Sequence, residues 1–189
     1  MLKKELRIIY KNKRDNLSLE DIRALSANIG TNLLELLSQL KFKTVNCFLS
    51  SDARKEVITN YIIETIRELG AEITVPVSNY ETNRITAAQF KKGDQLIDDK
   101  FGIPTPTNIC AIKPSTIDVV IVPLLCFDRK GYRCGYGKGM YDRFLSECKP
   151  GVVTIGLSFF SASTNISDIH EKDMPLNYIV SHQKTIRFN

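Results

Sequence analysis

At 189 residues, with 43% hydrophobic and 25% charged side chains, the chain is too apolar to be disordered, and no apolar run approaches the roughly 18 residues that cross a bilayer. Its length suits one core, so a single domain over residues 1–189 is expected. The net charge of +5 fits an anionic ligand, weak nucleic-acid binding or plain solubility, and does not choose among them.

The first forty residues read as two helices. Leu2, Leu6, Ile9 and Tyr10 form one apolar stripe, Asn16 to Ser18 break it, and Ser18 with Asp21 resembles a capping arrangement for a second helix ending near Leu40. The start alternates charge with apolar residues and lacks the uninterrupted apolar segment of a signal peptide, so a cytoplasmic protein is expected. The pattern then changes to short β-rich runs, TVNCFLS (44–50), EITVPV (72–77), IDVVIVP (117–123) and VVTIGLS (152–158), with helical periods at 57–69 and 138–148 between them. Such alternation predicts an α/β fold: three α/β/α layers with a mostly parallel, Rossmann-like sheet, an N-terminal helical pair, and ligands at the carboxyl edge of the strands. The polar stretch from Asn79 to Pro106, with Arg84 to Phe90 as a candidate extra strand, fits either an insertion near the site or a surface excursion.

Cysteines stand at 47, 110, 126, 134 and 148, an odd number without a C-x-x-C pair, which argues against a zinc site or a disulfide framework. Cys47 reads as a core residue. Cys134 lies inside a glycine-rich loop and is expected to be exposed and oxidisable.

That loop, GYRCGYGKGMYDRF (131–144), holds four of the ten glycines of the chain together with Arg133, Lys138, Arg143 and Asp142. It joins an apolar strand to a helix on which Met140, Phe144 and Leu145 share a face. Glycine-freed amides and the helix start, reinforced by the cations, would suit a polyphosphate. The string is neither a Walker A loop nor a dinucleotide fingerprint, and a turn followed by a helix start is the plain alternative. Asp142 could complement the helix dipole or hold Mg²⁺ beside phosphates.

DVVIVPLLCFDRKGYRCGYGKGMYDRFL resembles the signature of 5-formyltetrahydrofolate cyclo-ligases, also called 5,10-methenyltetrahydrofolate synthetases: an aspartate before an apolar strand, a proline, F-D-x-x-G, then R-x-G-x-G-x-G-x-Y-D. KKELR at the start resembles the family's K-x-x-L-R, FLS followed by EVIT its strand and E-x-x-T segment, FGIPTP its proline loop, and KDMPLNYIVS a further shared element. These landmarks span nearly the whole chain in the expected order.

The resemblance implies ATP- and Mg²⁺-dependent conversion of 5-formyltetrahydrofolate to 5,10-methenyltetrahydrofolate, with release of ADP and phosphate. It implies ATP contacts from Lys3, Arg7, Arg133, Gly135, Tyr136, Gly137, Lys138, Gly139, Met140 and Tyr141. Folate contacts would come from Leu49 and Glu56 and from Tyr136 through Met140, and metal contacts from Asp142 and Asp173. Without it, Lys3 and Arg7, one helical turn apart, read as a solvated face, Glu56 as a helix-start acid and Asp173 as a surface loop acid. The chain departs from the family's usual residues at Met140, Cys134, Asn177 and Thr105, and the stretch SSDARK between Leu49 and Glu56 is longer than usual.

Two other classes have sequence support. One is a nucleotide-binding regulatory protein without turnover. The other is a basic nucleic-acid module, against which the cations are spread rather than clustered. The expected partners are therefore small molecules, with no nucleic acid and no membrane, and the expected state is a monomer.

Overall fold

A computed structural model describes residues 1–188. Helix α1 (Lys3–Asp15) is followed by α2 (Leu19–Ser38), whose first turn is closed as the sequence predicts: the Ser18 hydroxyl accepts from the Asp21 amide at 3.0 Å, and the Asp21 carboxylate accepts from the Ser18 amide at 3.0 Å. The two helices then serve different layers. Leu6 and Tyr10 of α1 pack on Leu125, Cys126, Cys134 and Ile166, whereas Ile22, Ile29, Leu33, Leu36 and Leu37 of α2 cover one face of the sheet.

The strands are β1 (Thr44–Cys47), β2 (Glu72–Asn79), β3 (Arg84–Gln89), β4 (Leu96–Asp98), β5 (Pro104–Pro106), β6 (Ala111–Ile112), β7 (Val119–Pro123), β8 (Cys126–Phe127), β9 (Arg133–Cys134), β10 (Val153–Ser158), β11 (Tyr178–Ser181) and β12 (Thr185–Arg187). Helix α3 (Asn60–Glu68) links β1 to β2, and α4 (Met140–Glu147) lies between β9 and β10. Eight strands form the main sheet in the order β12-β11-β10-β7-β1-β2-β3-β6. The five from β11 to β2 are mutually parallel, and the edges are closed by antiparallel β12, β3 and β6.

Strand β7 shows why the centre reads as a continuous apolar run. Val119 and Ile121 join the core under α2 and α3, while Val120 and Val122 join the core under α4, so alternate residues are buried on opposite faces. Asp118, just before it, accepts from the amides of Lys43 at 2.7 Å and Thr44 at 2.9 Å and pairs with Lys149, which fixes the start of β7 to that of β1.

Two boundaries differ from the expectation. The run 44–50 leaves the ladder after Cys47, because the Thr59 hydroxyl donates to the Phe48 carbonyl at 2.7 Å and accepts from the Ser50 amide at 3.1 Å. A side chain thus replaces a strand partner beyond Cys47. For the same reason α3 begins at Asn60 rather than 57. The C-terminal pair β11 and β12 is too short to stand out in sequence. It is stapled to β10 by Asn177, whose side-chain oxygen accepts from the Thr154 amide at 2.8 Å and hydroxyl at 2.9 Å.

No helix among the described residues is long and apolar enough to cross a membrane.

Candidate active site

The chain runs from β1 to β2 on one side and later places β7 on the other side of β1, so the order reverses at this point and opens a crevice at the strands' carboxyl ends. A cavity of about 320 Å³ lies there, with Phe48 and Leu49 beyond β1 and Pro123 ending β7. All fourteen residues singled out from the sequence line it: Lys3, Arg7, Leu49, Glu56, Arg133, Gly135, Tyr136, Gly137, Lys138, Gly139, Met140, Tyr141, Asp142 and Asp173.

The glycine loop is built in two parts. In the first, the fully buried Asp128 accepts from the amides of Lys130 at 2.9 Å and Tyr132 at 3.1 Å, and Gly131 turns the chain at φ +84°. Here F-D-x-x-G is a structural turn; a Cβ on Gly131 would lie 3.0 Å from the Leu176 carbonyl. In the second, Gly137 adopts φ +97°, and a Cβ there would stand 3.1 Å from the Arg7 guanidinium carbon. Gly139 caps α4 without any side-chain bond, so the start of α4, where Gly139 to Asp142 line the cavity, has no capping side chain on its first amides.

Helix α1 is docked on this loop rather than solvated. Arg7 Nε donates to the Gly135 carbonyl at 2.9 Å, and the Lys3 ammonium pairs with Asp173. Arg133 Nη2 pairs with Asp142 Oδ1 at 2.7 Å. The result is an alternating set of two cations and two carboxylates. Burial lowers the Arg133 pKa, an effect that Asp142, Tyr141 and Asp173 oppose. At Asp173 burial acts upward, but the bonds from Lys3 and the His170 amide hold its carboxyl below the usual range.

On the opposite wall the Tyr136 hydroxyl donates to Glu56 Oε1 at 2.6 Å and accepts from Arg14 Nη1 at 2.9 Å, while Glu56 Oε2 accepts from the Ser51 amide at 3.1 Å. Tyr136 therefore has a wet ring, 41% exposed, and an enclosed hydroxyl whose pKa is raised by burial and by Glu56. The Arg54 guanidinium lies 4.6 Å from the ring centroid. Tyr80, Ile85 and Ile103, from the 79–106 segment, complete the wall, so both ends of that segment belong to the site while its middle, residues 91–98, is an exposed excursion.

Sequence reading missed Arg14, Arg54, Tyr80, Ser78 and Ile103. Arg14 had a signal, since it lies two helical turns after Arg7 on the same face. Ser78 is carried by the end of β2, and Arg54, Tyr80 and Ile103 are brought in by turns and loops. The expectation for Cys134 is corrected: it is fully buried and pairs across the β8–β9 ladder with Cys126, because α1 covers that hairpin. Contact with Cys134 and burial push the Cys126 thiol far above its usual range. Met140 is half-buried at the start of α4, where it lines the cavity, and the Thr105 hydroxyl turns back to the Ile103 carbonyl at 3.2 Å.

Among the described residues no three His, Cys, Asp or Glu side chains cluster as a metal site. The donor set fits a divalent ion that arrives already bound to phosphate, since Mg²⁺ takes one or two protein carboxylates and fills its remaining positions with phosphate and water. Asp142 and Asp173, which both line the cavity, would be those two carboxylates.

Fold and crevice define an α/β protein whose cationic, glycine-lined cleft faces a carboxylate-bearing wall. The sequence matches the model of the 5-formyltetrahydrofolate cyclo-ligase family over residues 1–181, and the chain belongs to that family. It is 30% identical to the 5,10-methenyltetrahydrofolate synthetase of Aquifex aeolicus, whose NMR structure superposes with a TM-score of 0.82 and covers 100% of this chain and 94% of that one. The 5-formyltetrahydrofolate cyclo-ligases of Haemophilus influenzae and Escherichia coli are 23% and 25% identical, over 92% and 93% of this chain and 94% and 98% of their own lengths.

Proposed function

We propose that this enzyme closes 5-formyltetrahydrofolate to 5,10-methenyltetrahydrofolate at the expense of ATP, releasing ADP and phosphate. A formamide oxygen is a poor leaving group. Transfer of the γ-phosphoryl group to it, followed by attack of the neighbouring bridge nitrogen on the activated carbon, makes phosphate the leaving group. Such a reaction needs two ligands held in contact and phosphoryl charge neutralised, and it needs no strong protein nucleophile.

The observation that supports this reading most is the convergence of four separate stretches, α1, residues 49–56, the 133–142 loop and Asp173, on one cavity. Lys3, Arg7, Arg133 and Lys138, with the loop amides and the start of α4, would receive the triphosphate. Glu56 and Leu49 would receive the pterin, whose N–H donors match a carboxylate already fixed by Tyr136 and Ser51. Tyr136 to Met140 lie between the two. Asp142 and Asp173 would hold Mg²⁺, which supplies charge neutralisation at the phosphates when bound; Lys3, released from Asp173, would then be free for a phosphate oxygen.

Incubation with 5-formyltetrahydrofolate, ATP and Mg²⁺, with each omitted in turn, tests this through the absorbance of the methenyl product. Product should form only in the complete mixture. Retained ATP binding without turnover would instead place the chain among non-catalytic nucleotide-binding regulators.

A further inference from the structure

Arg54 is a cavity cation that the phosphate side does not explain. Lys3 and Arg133 are engaged by Asp173 and Asp142, and Arg7 by the Gly135 carbonyl. Arg54 is half-buried and lines the cavity, yet it forms none of the ion pairs found among the described residues. Nearby carboxylates are already occupied. Asp99 accepts from the Tyr80 hydroxyl and from the amides of Phe101 at 2.8 Å and Ile103 at 3.0 Å, and Glu56 accepts from Tyr136 and Ser51.

The backbone that carries Arg54 is held in a conformation its sequence disfavours. Lys55 has φ 47°, left-handed without being glycine. Its ammonium is anchored on the carbonyls of Asp15 at 2.6 Å and Leu17 at 2.7 Å, and the Ser51 hydroxyl on that of Gly102 at 2.6 Å. This turn lets Arg54 and Glu56, two positions apart, both line the cavity. Its guanidinium carbon lies 4.6 Å over the Tyr136 ring centroid, a cation–π contact that uses none of its N–H donors.

We propose that Arg54 determines specificity by taking a carboxylate of the glutamate moiety of the folate. This rests on the cyclo-ligase reading. The pterin placed at Glu56 is neutral and the triphosphate lies on the loop, so the anion left for a free guanidinium on the Glu56 side of Tyr136 is the glutamyl carboxylate, which a planar guanidinium binds in bidentate fashion.

The test compares 5-formyltetrahydrofolate with 5-formyltetrahydropteroate, which lacks the glutamate, on the parent chain, Arg54→Ala and Arg54→Lys. Loss of a charge-assisted pair should raise the KM of Arg54→Ala for the glutamyl substrate about ten- to a hundredfold. The KM values for the pteroate form and for ATP should stay within about twofold, and Arg54→Lys should recover part of the loss. Equal losses on both folates, a rise in ATP KM instead, or an unchanged variant beside an active parent would each overturn this assignment alone. A parent that neither binds nor converts either folate would overturn the cyclo-ligase reading and this assignment with it.

Discussion

The Tyr136 hydroxyl donates a 2.6 Å hydrogen bond to Glu56 Oε1, and through it the buried Arg14, which reaches the same hydroxyl at 2.9 Å, is coupled to a buried carboxylate. Arg14 also donates to the Leu124 carbonyl, at the end of the strand edge that floors the cavity. A charge this enclosed is costly once its counterpart is removed. Arg14→Met is expected to lose about 3 kcal/mol in urea unfolding and Tyr136→Phe about 1 kcal/mol. The double variant should lose less than the sum by at least about 0.5 kcal/mol. Strict additivity would show that the three groups do not act as one network.

Glu56→Gln keeps the shape and one acceptor but removes the charge that N–H donors of a pterin would meet. The folate KM should rise more than the ATP KM. An equal rise in both would remove Glu56 from pterin binding.

Lys138 and Asp142 are expected to separate chemistry from stability. Lys138 is exposed at the cavity and forms none of the ion pairs found among the described residues, so Lys138→Ala should leave stability within about 0.5 kcal/mol while turnover falls about a hundredfold or more. Asp142 is the partner of Arg133, whose side chain is only 6% exposed. Asp142→Ala should therefore lose turnover and, in thermal or urea unfolding, about 3 kcal/mol of stability as well. Near-parental rates in both variants would refute the assigned roles.

Asp118 supplies a pH dependence. Burial acts to raise its carboxyl, but the Lys149 ammonium and the amides of Lys43 and Thr44 outweigh it and hold the pKa below its ordinary 3.8. A depressed folded value means that the unfolded chain binds the extra proton, so the stabilisation is complete above 3.8 and lost as pH falls through the folded value. Asp118→Ala should be about 1 kcal/mol less stable than the parent at neutral pH, a modest figure because its partner Lys149 has a side chain 39% exposed and the pair is screened by solvent. That gap should narrow as the solution is acidified below 3.8. A gap constant from about pH 6 to about pH 2 would contradict the assignment.

The five thiols are free and unequal: Cys110 is exposed, Cys148 half-buried, and Cys47, Cys126 and Cys134 buried. A thiol reagent should modify Cys110 first and Cys148 more slowly, and reach the other three only on unfolding. Rapid native-state labelling of Cys134 would mean that α1 does not cover the β8–β9 hairpin.

The helices, the strands β1, β2, β7 and β10, the Ser18–Asp21 cap, the buried centre of the sheet and the glycine loop were legible in the sequence, because each depends on neighbours a few residues apart: apolar period, capping spacing, glycine freedom. The roles proposed for Glu56 and Asp173 rest on family resemblance, since an isolated Glu56 or Asp173 has no local pattern to mark it. Chain packing decided what local pattern could not: that α1 docks its cationic face on the glycine loop, that Arg14 meets Tyr136 across 122 positions, that Cys134 is enclosed, and that Arg54, Tyr80 and Ile103 share a wall with Glu56. These relationships join residues distant in the chain, and their energies come from desolvation and charge pairing that exist only once the sheet has brought the segments together.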